Sequence, residues 1–369
     1  MKKNQPLIYK NKGDISIPIA VVILSIIGTV FIYSASSYSA LATYGDAFYF
    51  VKKQVIGILI GIVAMIFTAN FDYKKLSKFR WPVSIIAIIL LCLVFVPKIG
   101  VENYGAKRWI SLGFITLQPS EIAKFALILF SATYISKNPD KMRTFKGVIP
   151  ILVYGLILCG LIIAEPNMSI TVCMATLMIS LLFAGGMKVK YFLMLAIPAV
   201  IGACLLIIAE PYRLDRLSAF LDPWASPKGE GYQLLQSLYA LGSGGWFGVG
   251  LFSSRQKYAF LPFSESDFIL SIIGEEIGFI GITLFFALLF FIVYKGIKTA
   301  RKSQDLFGYI MAVGITMIFG IQVVVNALVV SGAIPPTGLP LPLVSSGNTA
   351  IIIFMAEMGV LYNISKRRV

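Results

Sequence analysis

Apolar runs of close to 20 residues recur from one end of this chain to the other. A helix rising 1.5 Å per residue needs about that length to cross the hydrocarbon of a bilayer. In lipid every backbone polar group must be paired internally, so each run must be helical. Ten spans are read, at 17–34, 54–71, 81–97, 118–136, 147–164, 168–186, 191–209, 267–294, 307–331 and 349–363. The expected fold is all-α: a polytopic integral membrane protein of about ten transmembrane helices, with both termini cytoplasmic and a large fourth extracellular loop. At 58% hydrophobic and 13% charged residues, no soluble class competes.

The expected organisation is a cytoplasmic segment 1–16, a single ten-helix domain 17–363 with its outer loop at 210–266, and a cytoplasmic tail 364–369. The first run follows a 16-residue polar lead with Lys2, Lys3, Lys10 and Lys12 and lacks a small-x-small cleavage site. It is expected to be a retained span and not a signal peptide. With the N-terminus inside, 21 of the 32 basic residues fall on the cytoplasmic side, while 13 of the 17 acids lie outside or within spans. The net charge of +15 is thus mostly topological and points to no nucleic acid. The acids place the chemistry on the outer face.

The cytoplasmic loops are short and basic, with no P-loop and no room for a nucleotide domain. That argues against an ATP-driven pump and against a transferase using a cytoplasmic sugar nucleotide. Cys92, Cys159, Cys173 and Cys204 lie in apolar runs without a CxxC pair, so disulfides and thiolate metal sites are not expected. No organic cofactor is expected. The chain has no histidine, so any general base must be a carboxylate, amine, hydroxyl or phenol.

The one long non-apolar segment runs from Glu210 into the span at Asp267, and about 57 residues make up the loop. Connections are usually far shorter, and long loops tend to carry function. Its GEGYQLLQSLYALGSGG stretch reads as a short amphipathic helix ended by glycines. GSGGWFGVG suits close backbone approach to a ligand. Arg213 and Arg216 flank Asp215, and Arg255 and Lys257 follow the glycines. With Lys107, Arg108 and Trp109 of the earlier outer loop, they are candidates for a pyrophosphate at the membrane surface. The bland alternative is non-specific contact with anionic headgroups of membrane lipids.

Asp267 stands where the loop enters its span, and a helix cap is its ordinary role. Glu275 and Glu276 further along are costly in an apolar helix unless they face a cavity or a partner. Pro119 can start a helix that sets Glu121 and Lys124 three apart on one face, as a structural pair or a cavity lining. Gln233 and Ser237 join Glu121, Lys124 and Glu275 as supporting residues of that cavity. AEPNMS closes a tight outer hairpin around Glu165, and SGAIPPTGLPLPLVSSGNT cannot be regular helix and suits a cavity wall.

These stretches together resemble the SEDS family, the FtsW, RodA and SpoVE proteins. The matching motifs are GAKRWI with LQPSEIAK, EPN, RLSAFLDP, GYQLLQSLYALGSGGWFGVGL, KYAFLP, SDFILSIIGEEIGFIG and PTGLPLPLVSSG, in family order from about residue 30 onward. The resemblance implies a ten-span glycosyltransferase that polymerises lipid II on the outer face of the bacterial cytoplasmic membrane. It implies a class B penicillin-binding protein as partner. It also implies that Asp267 matches the family's essential aspartate and that Glu121 and Lys124 match its cavity pair. Asn167 stands where the family usually has an acid, SSGNT where SYGGS is common, and SESD where HTD or QTD is common. YSASSY and GEEIGFIG look closer to the division and sporulation branch, which places the protein at the division septum among other divisome proteins.

The expected chemistry is inverting glycosyl transfer with Asp267 as general base and basic residues holding the leaving pyrophosphate. Mg²⁺ or Mn²⁺ would suit oxygen ligands there, with no ligand set assigned. The alternatives are a lipid II flippase, an elongation-type polymerase, and a scaffold that only activates its partner.

Overall fold

The computed structural model describes residues 13–103, 106–111, 116–208, 211–229 and 231–366. Each of the ten expected spans is occupied by a helix: α1 (Ser16–Tyr44), α2 (Tyr49–Asn70), α4 (Arg80–Leu93), α5 (Pro119–Lys137), α6 (Phe145–Ala164), α7 (Met168–Ala184), α8 (Val189–Ile208), α11 (Ile269–Arg301), α12 (Leu306–Val330) and α13 (Asn348–Ser365). The short α3 (Tyr73–Leu76) leads into α4, while α9 (Pro211–Leu221) and α10 (Tyr232–Gly244) lie in the long loop. Seven of these stretches, α3–α4 taken as one, are long and apolar enough to cross a membrane by length and composition. Among the other three, α5 owes its polarity to Glu121, Lys124 and Lys137. Large apolar side chains on the outer faces, such as Val63, Phe67, Leu156, Ile197 and Leu284, are exposed, as lipid-facing residues must be.

Several boundaries differ from the sequence reading. α1 runs ten residues beyond the expected end at 34, because SASSYSALATY is helix-compatible although not apolar. The loop before α5 also holds strand that the all-α reading did not contain. β1 (Gly100–Asn103), β2 (Ala106–Ser111) and β3 (Thr116–Leu117) form an antiparallel sheet in that order. β1 pairs with β2 at Gly100 with Ile110 and at Glu102 with Lys107, with an irregularity between Val101 and Glu102.

The core is a helix bundle centred on α5 and α12, whose Ala123, Leu127, Ile315 and Phe319 are buried. Small residues let backbones approach, as is usual where lipid offers no hydrophobic drive between helices. A Cβ on Gly61 would lie 2.5 Å from Met355 Sδ, and one on Gly359 would lie 2.4 Å from the Met65 carbonyl oxygen. The same α2–α13 seam is pinned by Thr68 Oγ1 donating to the Ala356 carbonyl at 2.8 Å.

α11 is not one regular helix. Gly278 has φ 66° and ψ −171°, which breaks the helical ladder inside a span. The freed groups are taken up by the glycine-rich loop. Val249 and Gly250 donate their N–H groups to the carbonyls of Glu275 and Glu276, at 3.0 and 3.1 Å. Phe279 and Ile280 donate to the carbonyls of Gly245 and Trp246, at 2.9 and 3.1 Å. The loop therefore re-enters to the depth of residues 275–280, with Trp246 against the Phe279 ring. Close approach is obligatory: a Cβ on Gly278 would lie 2.2 Å from Gly248 N, and one on Gly248 would lie 2.2 Å from the Glu276 carbonyl oxygen.

Gly278→Ala combines that clash with a left-handed backbone, so its apparent melting temperature in detergent is expected to fall by roughly 5 °C. Gly160→Ala, where an added Cβ meets nothing within 4 Å, is the matched control and is expected to leave it unchanged. Equal melting temperatures for the two variants would contradict the loop-in-helix arrangement.

Candidate active site

The site is built at one end of the bundle from five separate stretches. Asp267 lies two residues before α11 begins, and the residue at the helix cap is Phe268, with no side-chain cap bond. The capping role is therefore not the one it plays. Its main chain is fixed instead. Asn326, buried near the end of α12, donates through Nδ2 to the carbonyls of Asp267 and Leu339, both at 2.8 Å. Ser345 donates to the Ser266 carbonyl at 2.6 Å and accepts from the Leu341 N–H at 2.7 Å. Ser346 N–H donates to the Glu265 carbonyl at 2.9 Å, and Ser264 donates to the Ala35 carbonyl at 3.1 Å. The proline-rich stretch 335–342 is thus a wall of the site, as its sequence suggested. At Gly338, with φ 67°, a Cβ would come within 3.3 Å of Asp267 Oδ2, so this wall approaches the carboxylate as backbone.

Electrostatically Asp267 sits between two guanidiniums. Burial, and then the neighbouring Glu265, push its carboxyl up to about 6, while Arg108 and Arg216 pull it back. Glu265 is itself raised by burial. Arg108 comes from β2, where successive side chains alternate faces. It shares a face with the buried Ile110, and Lys107 and Trp109 take the other face; Lys107 is exposed and Trp109 half-buried. Arg108 Nε donates to the Glu165 carbonyl at 3.4 Å, and its Nη2 donates to the Pro166 carbonyl. Arg216 projects from α9 into a cleft lined by Ala219, Phe220, Gln233, Leu234 and Pro336. Arg108 from the strand and Arg216 from α9 therefore both act electrostatically on Asp267.

Not every sequence candidate joins them. Lys257 is buried, with Nζ 3.4 Å from Glu276 Oε1, 3.2 Å from Ser34 Oγ and 2.5 Å from the Phe252 carbonyl oxygen, so the structure uses it inside the loop and not toward a pyrophosphate. Glu275 accepts from Ser254 Oγ at 2.5 Å and from the Arg255 N–H at 2.9 Å, and Glu276 accepts from Ser34 at 2.5 Å. These two acids clamp the re-entrant loop instead of lining the cavity. The Arg255 side chain is exposed beyond that clamp. Ser237 ties α10 to α11 and α12 through Ser271 Oγ at 2.9 Å and the Val330 carbonyl at 2.7 Å. Gln233 donates to the Pro262 carbonyl at 3.3 Å while lining the Arg216 cleft. The Arg213 side chain and Glu210 lie outside the described residues.

Glu121 and Lys124 form a second, deeper centre. They pair at 2.7 Å with side-chain exposures of 1% and 2%. Lys124 also stands 5.3 Å from the Phe354 ring centroid. The charge they act on is Glu357 of α13, which the sequence reading missed although a lone acid in the last apolar run marks it. The charges acting on Asp267 are Glu265, Arg108 and Arg216. Among the described residues no three carboxylate or thiol side chains are grouped to hold a metal ion.

Residues 15–369 match the family model described as cell cycle protein, that of FtsW, RodA and SpoVE. A probable peptidoglycan glycosyltransferase FtsW of Geobacter sp. (strain M18) is 39% identical over 96% of this chain and 97% of that protein. The stage V sporulation protein E of Bacillus subtilis (strain 168) is 37% identical over 97% of this chain and 98% of its own length. Among solved structures, a chain of a peptidoglycan synthase complex, described for its coordination of polymerization and crosslinking, superposes with a TM-score of 0.80 at 23% identity, covering 96% of this chain and 97% of that one. The rod shape determining protein RodA of Thermus thermophilus gives 0.70 at 23% identity, with 96% and 97% covered. Those two likenesses are of fold.

Removing one partner of a buried ion pair costs about 3–5 kcal/mol, whereas removing both can be close to neutral. Lys124→Met is accordingly expected to lower thermal stability more than the double variant Glu121→Gln/Lys124→Met. A double variant less stable than the single one would contradict the pairing.

Proposed function

Because the chain belongs to the cell cycle protein family of FtsW, RodA and SpoVE, we propose that it is a peptidoglycan glycosyltransferase that polymerises lipid II on the outer face of the cytoplasmic membrane. The curated relatives named as such share well over a third of its residues across nearly its whole length. The observation that supports the reading most directly is the carboxylate of Asp267, half-buried and within the electrostatic influence of Arg108 and Arg216. A general base and cations for a pyrophosphate are what glycosyl transfer from a lipid-linked pyrophosphate requires.

Asp267 takes the proton from the acceptor sugar hydroxyl as that oxygen forms its bond to the donor's anomeric carbon. The bond from that carbon to the undecaprenyl pyrophosphate oxygen breaks on the opposite side, so configuration inverts. The charge released on the pyrophosphate is met by Arg108 and Arg216, with exposed Lys107 and Arg255 at the rim. Holding those cations in place before the reaction removes the reorganisation that water would otherwise have to supply. Asn326, Ser345 and the Gly338 backbone hold Asp267 in position. No step is routed through a metal, because no fitting ligand group is found among the described residues.

The proposed partner is a class B penicillin-binding protein, and the proposed setting is the septum or the sporulating cell. The relatives named FtsW and stage V sporulation protein E support that setting.

Purified protein supplied with labelled lipid II, with and without the partner, is expected to yield glycan strands. Asp267→Asn is expected to reduce the rate by 10²-fold or more while the protein stays folded. Strand synthesis surviving in Asp267→Asn, or absent from the unaltered protein with its partner, would contradict the reading; lipid II translocation without polymer would favour a flippase. The base works only when ionised. The rate should therefore rise with pH through about 6 as Asp267 ionises, and a profile flat from pH 5 to 7 would remove Asp267 from that role.

A further inference from the structure

We propose that Glu165 is a positioning residue whose ionisation withdraws Arg108 from the anionic ligand. The inference rests on the glycosyltransferase reading for its ligand, a lipid-linked pyrophosphate, and concerns a residue that the mechanism above does not use.

Glu165 closes α6 at the tight outer hairpin, and it is 1% exposed. Both of its carboxylate oxygens are without a hydrogen-bond partner among the described residues. A buried carboxylate left unpaired is costly in its charged form. The charge that acts on it is Arg108, whose guanidinium already donates to the main-chain carbonyls of Glu165 and Pro166. The neighbouring polar groups are neutral: Asn167 caps α7 by accepting from the Ile170 N–H at 3.3 Å, and Ser169 donates to the Thr337 carbonyl. Arg108 is also one of the two cations acting on Asp267. One guanidinium is therefore shared by two carboxylates, one in the reacting centre and one behind it.

The direction of the effect follows from the charges. Burial holds the Glu165 carboxyl up at about 8, with Arg108 opposing. Below that value Glu165 is neutral, and Arg108 turns its positive charge toward Asp267 and the pyrophosphate. Above it the new carboxylate competes for the same guanidinium and draws it from the anionic ligand. Pyrophosphate affinity must then fall as pH rises through about 8, by up to about tenfold per pH unit for one proton released. The acidic limb belonging to Asp267 is untouched.

The test measures binding of farnesyl pyrophosphate to the full-length protein in detergent from pH 7 to 9, with polymerisation followed in parallel. The unaltered protein is expected to lose affinity above pH 8, and Glu165→Gln to bind evenly across the range. Glu165→Asp keeps a carboxylate and should keep the loss. Arg108→Gln should bind weakly with no pH dependence, and it decides the matter if Glu165→Gln does not fold. A flat profile in the unaltered protein, or the same loss in Glu165→Gln or Arg108→Gln, would overturn the proposal. Failure of the glycosyltransferase reading would look different: no polymer at any pH, with the pH-dependent pyrophosphate binding intact.

Discussion

A backbone group in lipid cannot be left without a partner, and the break in α11 at Gly278 is where this structure answers that constraint. Two carbonyls and two N–H groups are released inside a span and are paired by Gly245–Gly250. The consequences spread outward. The loop is held by main-chain bonds at its tip, and Glu275 and Glu276 then grip it at Ser254, Arg255 and Lys257. Ser34 of α1 closes the same knot. A 57-residue loop that would otherwise be slack is thus anchored to α1 and α11, and its last residues, Ser264–Asp267, arrive at a defined place. The energy spent on two buried acids and a buried lysine secures the geometry of a site that none of the three enters.

The site itself is an electrostatic compromise. A base in apolar surroundings needs a raised carboxyl value, and a pyrophosphate needs cations, which lower it. Asp267 shows both influences: burial and Glu265 on one side, Arg108 and Arg216 on the other. Arg108 gains reach by bracing itself on the carbonyls of the Glu165 hairpin. The deeper Glu121–Lys124–Glu357 centre is separate in its partners and lies in the middle of the bundle. Its cost in a low-dielectric interior is offset by the close Glu121–Lys124 pairing within α5.

The helices of the bundle were legible because hydrocarbon thickness imposes a length that composition reveals directly. The place of Asp267 just before α11 was legible because it stands at a polar-to-apolar boundary. GSGGWFGVG was rightly read as a place of close backbone approach, but the approaching backbone is that of α11 and not a ligand. Lys257 and Arg255 look alike in sequence and differ in the structure, since Glu276 lies within reach of one and not the other. Burial of a long side chain depends on a partner distant in the chain, and no local pattern carries that. The sheet formed by 100–103, 106–111 and 116–117 was hidden for a related reason, because strands this short leave too little periodicity to see. Glu357 was visible, a single acid in the last apolar run, and was passed over because its partners on α5 lie more than two hundred residues away.

The proposed role of Asp267 is that of a base and not of a nucleophile or a structural acid. Chemical rescue tests it most directly. Asp267→Gly leaves a gap where small carboxylates can stand in, and its polymerisation of lipid II is followed with formate, acetate and more basic analogues. Partial recovery is expected, with a rate that grows with the basicity of the added carboxylate and glycan strands of the same linkage as those of the unaltered protein. Accumulation of a glycosyl ester of the carboxylate would make Asp267 a nucleophile. No recovery with any carboxylate, in a protein that still binds the pyrophosphate probe, would remove Asp267 from the role of base.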